Sequence, residues 1–511
     1  MHGKNRLKIS CLDGCLLDYD RKGKVKNMKN TIADIEALRL EDEKLKAEQW
    51  AKVDERLGKE TADALREHYA MFDERFYLWL ADLYDPKTGG FYYSTSARDN
   101  DGYLPDIEST VQALAFLVNS GMVASRGGHW RYIFPVEMED KLIEFARSLQ
   151  SPEDGYFYHP QWEGMTYPPS RLARDCGWAT QVFNNYYQKY EKIYTEQGIP
   201  EEERRELLKK YMPDYNTPNG HKGRYGEPKK GRRDGEENSS GAAEKWTPQL
   251  RSLEAWREYL MQKPLTTKSY PVGNEVSSQA AQIKKRDAEA AEAGEPVGYV
   301  EMTKEFFNSQ IRADNGVWEE TVKYDAVNGL MKISGLYNSM GWELPYADKG
   351  IESAIYIALL DEPDCVGKQP TGSVDVYNPW VVISQIFTNW KNYYKDRELA
   401  EKNIDYYRKV LAEKAADMIR VTTKKTRKFA KENGAFGYTW GVPPLVSQGM
   451  PVSVPGIVEG DVNGGCISCT GVLNNMCAGL DIREIKPAIF HSADLAKFLE
   501  RIEERRAAQK S

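Results

Sequence analysis

The chain has 511 residues, and its 77 acidic against 70 basic side chains give a formal net charge of −7. This balance argues against a nucleic-acid-binding protein, which usually carries a basic excess, and the absence of any apolar run of about 18 residues excludes a membrane-spanning helix. The 31 tyrosines outnumber the 15 phenylalanines, which favours a large wet cavity because each tyrosine hydroxyl needs water or a partner.

Residues 1–30 are interpreted as an N-terminal extension. A secretory signal peptide needs an uninterrupted apolar stretch of about 7–15 residues, and the stretch here is broken by Asp13. Seven cysteines, an odd and small number for this length, fit a reducing compartment. The sequence as written therefore predicts a cytoplasmic protein, and a different natural start would leave a secreted or periplasmic location open.

Apolar residues from about 31 to 84 recur at spacings of three and four, which predicts at least two amphipathic helices. Beyond residue 85 a motif recurs, in which a glycine turn with aromatic residues is followed by a polar loop and then by a polar residue that begins a helix. Repetition of this unit predicts a helical array. The four copies are 89–93 leading to 106–111, 154–159 leading to 174–179, 315–318 leading to 324–329, and 433–438 leading to 459–464.

Two more segments, 270–283 and 375–394, carry only the helix-opening half of this motif. An Asp or Asn before a helix is a good N-cap, because its side-chain oxygen accepts a hydrogen bond from an unpaired backbone N–H. The polar residues at these helix starts are therefore structural unless the helices converge on one side.

Residues 195–248 interrupt the pattern, because they are rich in charged residues and glycine and nearly free of apolar ones after 216. Such a composition cannot offset the entropy of ordering, so a mobile polar insertion is predicted there. Residues 496–511 are predicted to form a charged C-terminal tail.

The segments 149–162, 170–175, 270–283, 315–332 and 460–463 resemble toroidal polysaccharide lyases of the glucuronan and alginate lyase type. The resemblance covers about 75–195 and 265–480. It implies an all-α fold, an incomplete (α/α)6–7 toroid whose inner helices open toward one cavity. A single catalytic domain would then span 31–495, with the polar insertion inside it.

Such a lyase cleaves a uronic-acid-containing polysaccharide by β-elimination. The substrate carboxylate is neutralised by Asn or Arg, which stabilises the developing enolate, and a Tyr or His acts as base. No metal or organic cofactor is required. Cys466 and Cys469 have the spacing of half a zinc site, but without a nearby His or a second pair they are interpreted as buried thiols.

Four catalytic residues are predicted: Tyr324 at a helix start, His159 within an aromatic and arginine-rich loop, and Asn274 and Arg174 for the carboxylate. Aromatic faces stack on sugars and arginines bind carboxylates in a bidentate manner. The predicted substrate-binding residues are Tyr158, Trp162, Arg171, Asn328, Lys323, Trp318 and Asp461.

Two alternatives stay open. An inverting glycoside hydrolase needs two carboxylates about 6.5–9.5 Å apart, and a non-catalytic carbohydrate-binding toroid needs only the aromatics and arginines. The expected partner is an acidic polysaccharide or oligosaccharide, whereas the uronic acid, the linkage and the oligomeric state are not predicted. The carboxylates available for a hydrolase are Asp106 or Glu108, Asp175, Asp325 and Asp461.

Overall fold

The computed structural model places most of the chain in helices. Two antiparallel strand pairs accompany them, Ile9–Ser10 with Leu16–Leu17 and Val446–Ser447 with Met450–Pro451. The predicted all-α class is thus confirmed for the described part of the chain. The structure describes residues 9–10, 16–17, 32–124, 129, 131, 133–162, 167–229, 246–361, 372–447 and 450–508.

The helices are numbered in chain order. They are α1 Ile32–Leu57, α2 Lys59–Tyr69, α3 Glu74–Asp82, α4 Thr95–Arg98, α5 Ile107–Asn119, α6 Val136–Ser148, α7 Pro169–Glu196, α8 Glu201–Leu208, α9 Leu253–Met261, α10 Ser269–Ser277, α11 Ala280–Ala293, α12 Tyr299–Asn308, α13 Tyr324–Met340, α14 Ala347–Leu359, α15 Ser373–Asn392, α16 Arg397–Arg427, α17 Val462–Cys466, α18 Val472–Gly479 and α19 Ser492–Ala508. A π turn, Ile467–Gly471, joins α17 to α18, and short 3-10 turns lie at Pro160–Trp162, Lys209–Tyr211, Pro248–Leu250 and Arg483–Ile485.

Acidic residues cap several of these helices, as the sequence predicts. The Asp106 side chain accepts from the backbone N–H of Ser109 at the start of α5, and Asp461 accepts from that of Gly464 at the start of α17. Each contact satisfies a donor that a helix start leaves unpaired.

One set of helices makes contacts in a closed order. α5 contacts α7, α7 contacts α10, α10 contacts α13, α13 contacts α15 and α15 contacts α18, while α17 returns to α5. A second series runs from α14 to α16, α2, α1, α19 and α3. The first set contains every helix that follows a predicted motif.

The four glycine turns of the repeated motif share one backbone hydrogen bond and a positive φ. In each, the residue that opens the turn donates its N–H to the carbonyl of the residue after the glycine, as Asp85 does to Gly90. The turn glycines Gly89, Gly155, Gly316 and Gly434 have φ of +88°, +74°, +66° and +85°. Only glycine adopts such angles without strain, which explains its place in every copy.

Two of these glycines also allow close packing. A Cβ on Gly316 would lie 2.2 Å from the backbone nitrogen of Gly350 in α14, and one on Gly434 would lie 2.5 Å from Cβ of Arg75 in α3. The turn before α17 therefore packs against a helix near the start of the described chain.

One continuous hydrophobic core runs from Val53 to Ile502. It includes Phe498 in α19, and Arg501 in the same helix forms an ion pair with Asp82 at 2.8 Å. The helix continues through the predicted boundary at 495, so residues 496–508 belong to the packed body and not to a separate tail.

The first part of the predicted insertion is folded. It contains α8, and Tyr211 stacks on Tyr190 of α7 with ring centroids 4.1 Å apart. Residues 230–245, the most polar part, lie outside the described residues, as does most of the N-terminal extension. None of the helices that the structure describes combines the length and the apolar character needed to cross a bilayer.

We expect Gly316→Ala to destabilise the protein by about 3 kcal/mol or more, since a left-handed angle and a backbone clash act together. Gly294 is the matched control, because its φ is +68° and no atom lies within 4 Å of the added Cβ. Gly294→Ala should cost about 1 kcal/mol. Chemical denaturation measures both, and equal losses would contradict the packing role of Gly316.

Candidate functional site

A buried ion network joins α5 to α7. Arg171 is fully buried, and it donates through Nη1 to Oε2 of Glu108 and through Nε to Oδ2 of Asp175, both at 2.8 Å. Arg174, one turn further along α7, donates through Nη2 to Oε1 of Glu108 at 2.6 Å. Glu108 thus gives one oxygen to each arginine and holds both in place.

The two arginines differ in access. The side chain of Arg171 is 0% exposed, whereas that of Arg174 is 20% exposed and lies over the Trp178 ring, 4.7 Å from its centroid. Arg171 is therefore structural, and Arg174 is the member of the network that a ligand can reach.

Tyr270 on α10 lies within reach of the Arg174 charge, and its hydroxyl lies near that of Tyr438, in the loop before α17. Burial raises the pKa of both hydroxyls, while the nearby Tyr438 hydroxyl and the charge of Arg174 oppose this rise at Tyr270. The Tyr438 backbone N–H donates to Asp461 at 2.6 Å, which fixes this loop.

Asn274 and Lys332 complete the group. Asn274 follows Tyr270 by one turn of α10 and is 9% exposed. Its neighbour Gly273 lets α13 approach, since a Cβ there would lie 3.1 Å from Cβ of Lys332. We call Arg174, Tyr270, Asn274, Lys332 and Tyr438 the arginine–tyrosine cluster.

Lys332 is a partly buried cation. Among the described residues it donates no hydrogen bond and forms no ion pair. Burial first, and then the positive charge of Arg174, lower the pKa of Lys332 to about 7, against the opposing charge of Glu108. An amine of this kind changes its charge near neutral pH, which is typical of functional sites.

His159 does not lie in this cluster. Its Nε2 donates to the Pro105 carbonyl at 2.8 Å, and its Nδ1 accepts from the Gln161 backbone N–H at 3.2 Å. Burial lowers the pKa of the ring. With both nitrogens engaged by backbone groups, His159 joins two loops, and this geometry gives no support to its predicted role as the base.

Tyr324 also points elsewhere. Its hydroxyl donates to the Leu360 carbonyl at 3.3 Å, and Nζ of Lys425 lies 5.4 Å from its ring centroid. It therefore packs toward the end of α14 and toward α16. Its neighbour Lys323 is exposed. This placement gives no support to the predicted catalytic role of Tyr324.

Asn328 lies inside a buried chain of hydrogen bonds. Its amide donates to Oδ1 of Asp375 at 2.7 Å and accepts from Asn378 at 2.8 Å. These bonds join α13 to α15. At 1% exposure, Asn328 supports the helix pair and is not a substrate contact.

The remaining predicted contacts are also structural. The Trp318 indole is 1% exposed and donates to the Phe307 carbonyl at 2.9 Å. The Tyr158 hydroxyl donates to Asp154 at 2.7 Å. Asp461 is the fully buried cap of α17, while the Trp162 side chain lies outside the described residues.

Of the predicted residues, the structure joins Arg171 and Arg174 through Glu108 and places Asn274 one turn from Tyr270 on α10. It adds three residues that were not predicted, Tyr270, Tyr438 and Lys332. All three fall within the segments that carry the resemblance or the repeated motif. Their position in those segments is the feature of the sequence that could have identified them as site residues.

Within the described ranges, no three His, Cys, Asp or Glu side chains are grouped as metal ligands would be. Cys466 and Cys469 are free thiols beside the π turn. Comparison of the chain with protein families, curated proteins and solved structures found no match.

We expect Lys332→Met to stabilise the protein by about 2 kcal/mol at pH 6, because the variant removes a partly buried cation that no anion pairs. A lysine whose pKa is lowered on folding destabilises most below its folded-state pKa, so the gain should shrink at pH 9. Lys323→Met, at an exposed position beside the same helix, is the control. Thermal unfolding at both pH values measures the effect, and a gain independent of pH would contradict it.

Proposed function

We propose that the chain is a polysaccharide lyase with an α/α toroid fold, acting on a uronic-acid-containing polysaccharide by β-elimination. The observation that carries this proposal is the Tyr270 hydroxyl, which lies near Tyr438 and within reach of the Arg174 charge. Such an elimination needs a phenol and a carboxylate-binding cation in one place.

The closed order of helix contacts supports the toroid. The helices that follow the motifs meet one neighbour on each side, and α17 returns to α5 through the hydrogen bond from Gln112 to Asn463 at 3.1 Å. The backbone N–H of Val462 also donates to Tyr93 at 2.9 Å. The first and last motif copies are thus joined, as closure of an inner ring requires.

Arg174 and Asn274 are assigned to the substrate carboxylate. The proton on the carbon next to that carboxylate is weakly acidic, and a fixed positive charge lowers the free energy of the enolate that forms when it leaves. Glu108 fixes Arg174 before substrate binds, so little reorganisation is needed during the reaction.

Tyr270 is assigned as the base. Burial raises the pKa of Tyr270, and the nearby Tyr438 hydroxyl and the charge of Arg174 partly offset this rise. In the proposed reaction Tyr270 takes the proton from the α carbon, the bond from the β carbon to the glycosidic oxygen breaks, and the same proton passes to that oxygen. The electron pair left on the α carbon becomes the new carbon–carbon double bond.

The hydrolase alternative receives less support from the same geometry. Asp106 and Asp461 cap helices, Asp175 pairs with Arg171, and Glu108 serves both arginines. Asp325 is exposed at the first turn of α13. An inverting hydrolase needs two carboxylates that are available to substrate and water.

We expect Tyr270→Phe to lower the rate of elimination by about 100-fold or more, which is the usual contribution of a general acid–base group. Tyr324→Phe, which alters a tyrosine on the outer side of α13, should keep the activity. The assay follows the ultraviolet absorbance of unsaturated uronate during incubation with glucuronan, alginate or a glycosaminoglycan.

New reducing ends without this absorbance would overturn the lyase and favour a hydrolase. Binding with neither product would favour a carbohydrate-binding protein. Full activity of Tyr270→Phe together with loss in Tyr324→Phe would reverse the assignment of the base.

A further inference from the structure

A chain of hydrogen bonds leads from Arg174 to a side chain that the proposed reaction does not use. Oε1 of Glu108, which accepts from Arg174 at 2.6 Å, also accepts from Nε2 of Gln112 at 3.2 Å. Nε2 of Gln112 donates in turn to Oδ1 of Asn463 at 3.1 Å. Arg174 on α7 and Asn463 on α17 are therefore linked through two side chains of α5.

The hydrogen-bond partners fix the orientation of both amides. The Glu108 carboxylate is the counter-charge of two arginines, so it accepts hydrogen bonds and donates none. The Gln112 atom that faces it must be the donor Nε2, and the Asn463 atom that faces this donor must be the acceptor Oδ1. Nδ2 of Asn463 therefore points away from Gln112, and it donates to none of the residues that the structure describes.

The packing of α17 turns Asn463 toward the helices of the first contact series. Gly465 faces α3, a helix of the second series, since a Cβ there would lie 2.7 Å from Cε2 of Phe76. Successive residues of a helix point about 100° apart, so Asn463, two residues earlier, lies on the opposite side of α17. The Asp461 cap, which accepts from Gly464 at 2.7 Å, holds α17 at this rotation.

The linked side chains differ in access. That of Glu108 is 2% exposed and that of Arg174 is 20% exposed, while Gln112 and Asn463 are each partly exposed. Apart from its bond to Glu108, the guanidinium of Arg174 donates to no residue that the structure describes. The accessible side of the network therefore offers hydrogen-bond donors from both Arg174 and Asn463.

These donors select a ligand that presents oxygen acceptors. A guanidinium and an amide NH₂ group donate hydrogen bonds and accept none. An acidic sugar carries a carboxylate, which a guanidinium binds strongly, together with ether and hydroxyl oxygens that accept from neutral donors. The carboxylate therefore suits Arg174, and a neutral oxygen of the same sugar unit suits Asn463.

We propose that Asn463 binds the ligand together with Arg174, by donating from Nδ2 to an oxygen of the sugar unit whose carboxylate Arg174 binds. The identity of this sugar as a uronate rests on the proposed function. Gln112 is a positioning residue, because it acts on the ligand through Asn463. Both ligand contacts are held in place before binding, which lowers the ordering cost.

The test is isothermal titration calorimetry with tetrasaccharides prepared from glucuronan and alginate, in a Tyr270→Phe background that limits turnover. Asn463→Ala should weaken binding by about tenfold, the loss expected for one hydrogen bond. Asn463→Asp keeps the size of the side chain but brings a negative charge near the uronate, so it should weaken binding by about 100-fold. Raising the salt concentration should narrow the gap between the two variants.

Asn475→Ala is the matched control. Nδ2 of Asn475 on α18 donates to the Gly471 carbonyl of its own helical segment at 2.9 Å, so this variant should bind as the background does. Thermal unfolding checks that each variant is folded.

A double-mutant cycle tests the positioning role of Gln112. Gln112→Leu should weaken binding while Asn463 is present and should add no further loss to Asn463→Ala. Losses that add in the double variant would refute this role, because Gln112 would then act independently of Asn463.

Unchanged affinity in both Asn463 variants would overturn the inference, as would an equal loss in Asn475→Ala or failure of every uronate tetrasaccharide to bind. Binding that depends on Asn463, in a protein whose unsubstituted form makes no unsaturated product, would sustain the inference and refute the lyase. Product formation together with full affinity in both Asn463 variants would do the reverse.

Discussion

Burial of the Arg171 guanidinium constrains everything built around it. A buried cation must be paired, and here Glu108 and Asp175 provide the pairing with Asp106 nearby. Removing one partner from such a network costs several kcal/mol because an uncompensated charge is left inside. Replacing Glu108 would break its ion pairs with both arginines. The contact that positions Arg174 is therefore one that the stability of the fold also requires. The cation proposed to bind the substrate is thereby held in place by a requirement of folding.

Burial also changes the pKa of an acid in this network. It raises the pKa of Asp175 to about 7, although Arg171 opposes the rise. The network therefore carries less negative charge near neutral pH than its three carboxylates suggest. Arg174 therefore borders a network whose negative charge is smaller than its composition suggests, although the chain as a whole is acidic. Net charge is a poor guide to the sign of a local site.

The helices, caps and glycine turns were largely predictable from the sequence, because they depend on local spacing and on backbone chemistry. Arg174 and Asn274 were predicted from their motif positions, and the structure places Arg174 at the accessible edge of the ion network. Tyr324 was not a sound choice, because neighbouring residues on a helix point about 100° apart and only packing fixes the rotation of α13. Tyr270 lies one turn from Asn274, so helical spacing could have placed both on one face. The pairing of Tyr270 with Tyr438 depends on the meeting of distant segments, which no local pattern encodes.

The contact of Gly434 with Arg75 has a consequence for biosynthesis. The same interface, between the turn before α17 and α3, also brings the ring centroids of Phe76 and Phe436 to 6.2 Å from each other. Its two sides come from distant parts of the chain. A chain emerges from the ribosome N-terminal end first. The apolar faces of α3 and α5 therefore stay exposed to solvent until the last motif copy has been synthesised. The hydrophobic core can close only after nearly the whole chain is released, so chaperone binding during translation should concentrate on those early helices.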